Sequence, residues 1–271
     1  MGDSPSFRPD LYRGTAADYD AFRLPYPRAL VDDLCHRTGA SGSGRLLDLA
    51  CGPGTLTFAL NDRFAEVWAV DQEPEAIEFA VHKAERLGVK NVRWMTGPAE
   101  AVDAGEPFEL VTIGTAFHRL DRRRVAGSAA QWLRDGGHLA LVWSATPNAG
   151  PAPWQQVLAE IFVDWSRRMD SDDRIPADLE AHLERLPHAT VLEDAGFTNV
   201  RRYEFTEIYD WTVETLIGLM YSTSVLSRVV LGDRAGAFEA DVRERLGAVE
   251  PSGVFREHAS FAYDLGYRRA A

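Results

Sequence analysis

Short apolar runs alternate with amphipathic segments through the first half of the chain. Five runs have the length and composition of buried strands: RLLDLA (45–50), EVWAVD (66–71), NVRWMT (91–96), FELVTIG (108–114) and HLALVWS (138–144). The segments between them place apolar residues at helical spacing, over 55–63, 74–87 and 121–133. Strands that alternate with helices predict right-handed crossovers and a parallel sheet covered on both faces.

The second half of the chain follows a different pattern. Residues 153–168 and 211–247 are predicted to be helical, whereas 200–210 and 255–268 alternate polar and apolar residues as strands do. Near the N-terminus, residues 16–38 are predicted as a helix that ends at Gly39. We therefore expect one domain over residues 1–271, in which a strand–helix core carries two helical insertions.

Composition narrows the classes of function. The 271 residues are 45% hydrophobic and 26% charged, with a formal net charge of −12. An acidic chain is poorly suited to a phosphate backbone, so we expect no nucleic-acid partner. No run of about 18 apolar residues and no secretory signal are present, so no membrane partner is expected. Two cysteines, Cys35 and Cys51, fit a cytoplasmic location, and the lack of an HExxH motif or Cys/His cluster predicts no metal site.

The stretch LLDLACGPGTLTFAL (46–60) carries a glycine turn between a strand and a helix. A P-loop would need Gly-Lys-Ser/Thr, which is missing, and a dinucleotide fingerprint would need glycine where Thr57 stands. Asp48, just before the turn, would also repel a pyrophosphate. A third type of glycine-rich loop is the one that holds S-adenosylmethionine. It suits these residues, because that ligand carries an ammonium and a sulfonium and no phosphate.

The spacing of Asp48, Gly52, Gly54 and Asp71 favours this third alternative. The two glycines let the backbone approach a ligand without a side-chain clash. Asp71 ends the second predicted strand, where a carboxylate can accept hydrogen bonds from both hydroxyls of a ribose. In parallel sheets ligands bind beyond the carboxyl ends of the strands, and all four residues are predicted to lie there.

The chain resembles the class I S-adenosylmethionine-dependent methyltransferases. LLDLACGPGT is similar to their first motif, AVDQ (69–72) to the acidic motif of the second strand, and LRDGGHLAL (133–141) to their glycine turn. The resemblance implies an α/β, Rossmann-like sheet of seven strands, mostly parallel with an antiparallel last strand, plus helical lid insertions. It also implies S-adenosyl-L-methionine as cofactor, S-adenosyl-L-homocysteine as product, and cofactor contacts from Ala50, Gln72 and Gly114.

Two positions depart from the family pattern. TGPAEA (96–101) has Pro98 where members often place an acidic residue before the alanine that meets the adenine. Recognition of the adenine amino group would then fall to the backbone near Ala99 or to Glu100. Asp135 replaces the usual proline of the glycine turn, a change that we expect to be harmless.

The resemblance also divides the domain into parts with separate tasks. Residues 1–40 would form an N-terminal helical lid, 41–144 the cofactor-binding core, and 199–210 and 254–268 the final strands. The helical insertions 145–198 and 211–250 would form the acceptor pocket. Its roof is expected to contain four aromatic residues: Trp154, Trp165, Trp211 and Tyr221.

A closer resemblance concerns YRGTAADYDAFRLPYP (12–27), which is similar to an N-terminal element in a branch that modifies small molecules. In that branch an aromatic residue and an arginine cover the methionine end of the cofactor. The resemblance implies Tyr19 as an aromatic lid and Arg23 as the partner of the cofactor carboxylate, with Tyr12 nearby. The alternative is a surface helix with ordinary aromatic residues.

The segment IGTAFHRLD (113–121) is similar to the AFHW-x-D element that follows the fourth strand in the same branch. The resemblance implies that Phe117 packs on the adenine or sulfonium side and that His118 faces the acceptor. A histidine can serve as a general base because its pKa lies near neutrality. Alternatively, His118 only hydrogen-bonds the loop and shapes the pocket.

Together these features predict methyl transfer to a hydroxyl or amine of a small-molecule natural product, such as the amino sugar of an antibiotic. The protein is expected to be a monomer or a homodimer. RNA or protein methylation is one alternative, and it predicts a basic surface or an appended binding module. A non-catalytic module that binds S-adenosylmethionine is the other, and the intact cofactor loops argue against it.

Overall fold

A computed structural model describes residues 7–8, 10–103, 105 and 107–269. Its helices are α1 (Ala16–Phe22), α2 (Arg28–Thr38), α3 (Thr55–Leu60), α4 (Pro74–Leu87), α5 (Arg122–Trp132), α6 (Pro153–Arg168), α7 (Leu179–Arg185), α8 (His188–Asp194), α9 (Val213–Tyr221), α10 (Arg228–Leu231) and α11 (Ala235–Val249). Its strands are β1 (Arg45–Leu49), β2 (Glu66–Asp71), β3 (Val92–Thr96), β4 (Phe108–Gly114), β5 (Leu133–Ser144), β6 (Phe197–Trp211) and β7 (Phe255–Arg268).

The seven strands form one sheet in the order β3-β2-β1-β4-β5-β7-β6. The pairs among β1 to β5 are all parallel, whereas β7 runs antiparallel to both β5 and β6. This arrangement confirms the predicted fold class, including the antiparallel last strand. The order reverses between β1 and β4, so the switch point lies at the carboxyl ends of these strands.

Both faces of the sheet are covered, as the apolar runs predicted. Along β1, Leu47 and Leu49 belong to a core with α5 and α8, whereas Leu46 belongs to a core with α2 and α3. Successive strand residues point to opposite faces, so a strand that is buried on both sides reads as a continuous apolar run.

The prediction of a single helix over 16–38 is wrong in one respect. The structure has two helices there, α1 and α2, with a break between them. The break spans Arg23 to Pro27, where Pro25 and Pro27 lack a backbone donor and disfavour helical geometry in the residues before them. As a consequence, α2 packs against the sheet through Leu30 and Leu34. Within the predicted lid 1–40, the described residues that line a cleft at the carboxyl ends of the strands all precede α2.

The glycine turn at 136–137 also differs from the prediction. These residues lie within β5, which begins at Leu133. The pairing with β4 advances from Phe108–Leu133 to Leu110–His138. Residues 134–137 of β5 therefore bulge opposite one residue of β4, Glu109. Gly136 has a φ of 78°, a conformation that suits a residue without a side chain.

The helical insertions pack against each other through α6, α9 and α11 and share one apolar core. All four aromatic residues expected in a pocket roof are buried in this core: Trp154, Trp165, Trp211 and Tyr221. The expectation that they roof the acceptor is therefore corrected, because they stabilise the insertion itself. α1 joins this layer where the ring of Phe22 packs on Gly218; a Cβ there would lie 2.3 Å from the ring. None of the described helices combines the length and apolarity that a bilayer crossing needs.

Candidate functional site: a cleft at the switch point

A cleft lies at the carboxyl ends of β1, β2 and β4, with the segment around α1 over it. Nine of the predicted cofactor residues line this cleft: Tyr19, Asp48, Ala50, Gly52, Asp71, Gln72, Ala99, Glu100 and Gly114. Arg23, Gly54 and Phe117 are not among its lining residues, and neither is His118. The structure thus brings together most of the predicted cofactor site and separates it from the predicted catalytic residue.

Asp71 is held in place by backbone donors on both of its carboxylate oxygens. The N–H of Gly52 donates to Oδ2 at 2.7 Å, and the N–H of Glu73 donates to Oδ1 at 2.9 Å. Burial raises the pKa of Asp71, and these hydrogen bonds oppose that effect. Each oxygen keeps a second lone pair, so Asp71 can still accept hydrogen bonds from a ligand.

Asp48 forms the floor of the cleft beneath the glycine loop. Its side chain is fully buried and accepts hydrogen bonds from Thr57 at 2.5 Å and Thr112 at 2.8 Å. Burial raises the pKa of Asp48 to about 6, although both hydroxyls counteract the shift. Asp48 is therefore ionised at neutral pH and gives the cleft a negative floor.

The two loop glycines have different surroundings. A Cβ added at Gly52 would meet no described atom within 4 Å, whereas one at Gly54 would lie 2.8 Å from the ring of Phe58 and 2.9 Å from that of Trp94. Gly52 therefore leaves room on the ligand side of the loop, and Gly54 leaves room for packing behind it. Both have positive φ, of 55° and 85° respectively.

Two residues other than glycine adopt left-handed geometry at the edge of the cleft. Ala50 follows β1 and Thr115 follows β4, and each has a φ of 51°. This conformation is unfavourable for a residue with a Cβ and recurs at functional sites, where the surrounding structure enforces it. The carboxyl ends of β1 and β4 therefore carry backbone strain next to the cleft.

The N-terminal segment supplies the aromatic roof. Tyr12, Tyr19 and Tyr26 all line the cleft, and the hydroxyl of Tyr26 lies 3.3 Å from that of Thr115. Arg23, predicted to meet the cofactor carboxylate, instead donates from Nε to the hydroxyl of Ser222 at 2.8 Å. Its guanidinium lies 5.1 Å from the ring centre of Tyr19, at the margin of the cleft.

At the other end of the cleft, Ala99 is buried and Glu100 accepts a hydrogen bond from the backbone of Asp121 at 3.0 Å. This bond joins the loop after β3 to the loop after β4. Gln72 lines the same end, next to Asp71. Recognition of adenine by Ala99 or Glu100 stays a prediction.

Phe117 and His118 line a second cavity, which adjoins the first at Ala116. Its walls include Trp143 and His188, and the rings of Phe117 and His188 meet edge to face at 5.1 Å. His188, which sequence reasoning did not select, is held by Arg122, whose Nη1 lies 3.1 Å from Nδ1 of the imidazole.

Both histidines of the second cavity are neutral at physiological pH. Burial lowers the pKa of His118 to about 3, and the charges of Arg119 and Arg122 add to the effect. Burial likewise lowers the pKa of His188 to about 4, with a further contribution from Arg122. A base with so low a pKa accepts protons weakly, so the geometry favours a hydrogen-bonding role for His118.

Sequence reasoning also missed Arg119, which lines the cofactor cleft. The signal was present in the quoted segment AFHRLD, where this arginine occupies the position of tryptophan in the AFHW-x-D element. Tyr26 was missed as well, although it belongs to the quoted N-terminal element.

Comparison with known proteins identifies relatives among the methyltransferases. A family model described as a methyltransferase domain matches residues 46–137. An uncharacterized methyltransferase of Mycobacterium bovis is 31% identical over 145 residues, which cover 53% of this chain and 55% of that protein. The chain thus spans little more than half the length of that relative.

Two further comparisons cover more of the chain. A trans-aconitate 2-methyltransferase of Mycobacterium sp. is 30% identical over 188 residues, covering 66% of this chain and 68% of that protein. The crystal structure of an S-adenosylmethionine-dependent methyltransferase from Thiobacillus denitrificans, in complex with S-adenosyl-L-homocysteine, superposes with a TM-score of 0.53. It is 16% identical and covers 95% of this chain and 98% of that one, so it establishes the fold alone.

The fold, the cleft at its switch point and these relatives define a methyltransferase domain. The chain belongs to the class I S-adenosylmethionine-dependent methyltransferases. S-adenosyl-L-methionine is the cofactor of this family. The residues present fit it, because Asp48 and Asp71 complement its cationic and hydroxyl groups and Gly52 leaves open space above the loop.

Proposed function

We propose that this chain transfers a methyl group from S-adenosyl-L-methionine to a small-molecule acceptor. The observation that carries the proposal is the pair of fixed carboxylates, Asp48 and Asp71, at adjacent strand ends beneath the roof of Tyr12 and Tyr19. A floor of two carboxylates suits a ligand with a cationic amino acid moiety and a ribose, and it disfavours a phosphate.

In this proposal each part of the cleft has its own task. Asp71 accepts hydrogen bonds from the ribose hydroxyls, and Asp48 stabilises the positive charge of the amino acid moiety. Gly52 gives the ligand close access to the backbone, whereas Ala99, Gln72 and Glu100 surround the base. Tyr12 and Tyr19 exclude water from above. When bound, the cofactor supplies an electrophilic methyl group, so the protein's remaining task is alignment of the acceptor.

The second cavity is the proposed acceptor site. It shares Ala116 with the cofactor cleft, and the β4 loop that separates the two cavities carries both Phe117 and His118. Phe117 and Trp143 offer apolar surface, and neutral His118 and His188 offer hydrogen bonds. In this arrangement His118 orients the nucleophilic atom of the acceptor, whose proton leaves to solvent.

The acceptor is proposed to be a hydroxyl or amine of a natural product. A net charge of −12 favours a cationic acceptor such as an amino sugar over RNA. The name of the mycobacterial relative adds trans-aconitate, a carboxylate, to the acceptors worth testing. A cytoplasmic location is proposed as well, because Cys35 and Cys51 are both buried and unpaired. The protein would act as a monomer or a homodimer.

The test combines binding with methyl transfer. Calorimetric titration with S-adenosyl-L-homocysteine should show binding that Asp71→Ala weakens and that Asp62→Ala, at an exposed aspartate, leaves intact. The protein is then incubated with methyl-labelled cofactor and separate fractions of small metabolites, RNA and protein. Label in the metabolite fraction is the expected result. Label in RNA or protein alone would assign a polymer substrate, and binding without any transfer would indicate a non-catalytic module.

A further inference from the structure

The charged groups of the cofactor cleft are divided between its floor and its roof. Asp48 and Asp71 on the floor each accept two hydrogen bonds within the protein. Glu100 is likewise engaged by the backbone of Asp121. The cations lie on the side of the N-terminal segment and the β4 loop, where Arg8 and Arg119 both line the cleft.

These two arginines differ in their partners. Arg8 pairs with Asp10 at 3.2 Å. Arg119 has no carboxylate within ion-pair distance in the part of the chain that the structure describes. Among the described residues, its Nη2 donates only a long hydrogen bond, of 3.4 Å, to the carbonyl of Thr115, and its buried Nε has no hydrogen-bond partner. A buried guanidinium nitrogen left unpaired carries a desolvation cost that an anionic ligand would remove.

Neighbouring groups hold this guanidinium toward the cleft. It lies 4.3 Å from the ring centre of Tyr12, a contact that fixes its plane against the aromatic roof. Although burial alone would raise the pKa of Tyr12, Arg119 and Arg23, together with a hydrogen bond from Ser224, lower it. The roof around Tyr12 is therefore electropositive, in contrast to the floor.

We propose that Arg119 binds a carboxylate inside the cofactor cleft. This inference rests on the proposed function, and it assigns to Arg119 the task that the resemblance implied for Arg23. A guanidinium recognises a carboxylate through two parallel N–H donors, which a tryptophan at this position could not provide. The carboxylate belongs either to the amino acid moiety of the cofactor or to the acceptor.

The experiment separates these two sources with two ligands that differ in the amino acid chain on sulfur, which carries both the carboxylate and an ammonium. S-adenosyl-L-homocysteine carries the amino acid carboxylate, whereas 5′-methylthioadenosine has the same nucleoside and thioether without it. Calorimetry measures the Kd of each for the wild-type protein, Arg119→Gln and Arg119→Lys. Arg124→Gln is the matched control, because Arg124 is exposed and its loss changes the net charge equally. Thermal unfolding of each variant establishes that it is folded.

If the cofactor supplies the carboxylate, Arg119→Gln raises the Kd of S-adenosyl-L-homocysteine at least about tenfold and that of 5′-methylthioadenosine less than about twofold. Arg119→Lys keeps part of the affinity. If the acceptor supplies it, both nucleosides bind unchanged. In that case trans-aconitate, titrated into the protein saturated with S-adenosyl-L-homocysteine, binds the wild type and loses about tenfold or more in Arg119→Gln.

Two results would overturn the inference. Equal weakening of both nucleosides would make Arg119 a structural residue of the cleft. The second is unchanged affinity for S-adenosyl-L-homocysteine together with no trans-aconitate binding that depends on Arg119. This result would mean that Arg119 binds neither carboxylate. Both results leave the proposed function intact. A wild-type protein that binds neither nucleoside would overturn the proposed function and this inference with it.

Discussion

The carboxylate of Asp71 accepts the backbone N–H of Gly52 at 2.7 Å and thereby ties the end of β2 to the glycine loop after β1. The two residues are 19 positions apart in the sequence, and both line the cofactor cleft. Because the same carboxylate is proposed to hold the ribose, the shape of the loop and the affinity for the cofactor depend on one side chain.

We expect Asp71→Ala to raise the Kd of S-adenosyl-L-homocysteine about tenfold or more. The variant loses the charge-assisted bonds to the ribose, each of roughly 1.5–3 kcal/mol, and frees the loop. Asp71→Asn should be milder, because its amide oxygen can keep the bond from Gly52. Calorimetry measures both values. Unchanged affinity in the alanine variant would mean that Asp71 does not bind the ribose.

The two loop glycines should respond differently to alanine. Gly52→Ala adds a methyl group on the open side of the loop, so we expect a clear loss of cofactor affinity and a destabilisation of only about 1–2 kcal/mol from the positive φ. Gly54→Ala forces the methyl group against Phe58 and Trp94, which adds roughly 1–3 kcal/mol of overpacking. Denaturant unfolding and titration of the same two proteins provide both measurements.

We expect Gly54→Ala to lose more stability than Gly52→Ala. We expect Gly52→Ala to lose more cofactor affinity than its small loss of stability accounts for. The reverse order would mean that the cofactor approaches the loop at Gly54. This comparison tests the sequence-based interpretation, which gave both glycines the same task.

Asp48 predicts a pH dependence of stability. Its pKa is about 6 in the folded chain, against an ordinary value of 3.8. Between these values the folded chain keeps a proton that the unfolded chain has released, so this side chain makes stability fall as pH rises through the window. For a fully buried group the shift corresponds to about 3 kcal/mol at most.

Asp48→Asn should therefore gain stability relative to the wild type as pH rises from 4 to 7. Chemical denaturation at several pH values measures the difference in the free energy of unfolding, with exposed Asp62→Asn as control. The affinity for S-adenosyl-L-homocysteine should show the opposite trend. As pH rises through 6, Asp48 of the wild type loses its proton and the wild type gains affinity relative to Asp48→Asn. A constant stability difference across this range would contradict the assignment.

The strand ends could be predicted because their signals are local. Asp48 and Asp71 each close or border an apolar run, and the run itself fixes where the parallel strand ends. The glycine loop follows from Gly52 in the same way. Since the carboxyl ends of such strands meet at one edge, the sequence was sufficient to predict most of the chosen residues that line the candidate cleft.

The remaining features depend on partners far away in the sequence. Arg23 lies beside Tyr19 because it bonds Ser222, 199 residues later, and nothing near Arg23 indicates that contact. The surroundings of His118 include Trp143 of β5 and His188 at the start of α8. From the sequence alone, a histidine in a loop is expected to have an ordinary pKa. Only the packed structure shows that burial lowers the pKa of His118.

The last prediction concerns the role of His118. With a pKa of about 3, this side chain is already unprotonated throughout the physiological range and is a weak base. We expect His118→Ala to lower turnover while the Kd of S-adenosyl-L-homocysteine changes less than about twofold, because the residue lies outside the cofactor cleft. His118→Asn, which keeps hydrogen-bonding capacity, should recover part of the rate. His82→Ala, at an exposed histidine, is the control.

The pH profile of kcat, which reports the pKa values of the enzyme with its substrates bound, distinguishes orientation from proton transfer. If His118 orients the acceptor, the profiles of the wild type and His118→Ala have the same shape above pH 5, and raising the pH does not restore the lost rate. If it is a general base, the wild-type profile contains a limb near neutrality that the variant lacks, and high pH rescues the variant. That second result would mean that the bound acceptor raises the pKa of His118 by several units, which requires a charge or hydrogen bond that the acceptor itself brings into the second cavity. The same measurement therefore identifies both the role of the histidine and the polarity of the group that it meets.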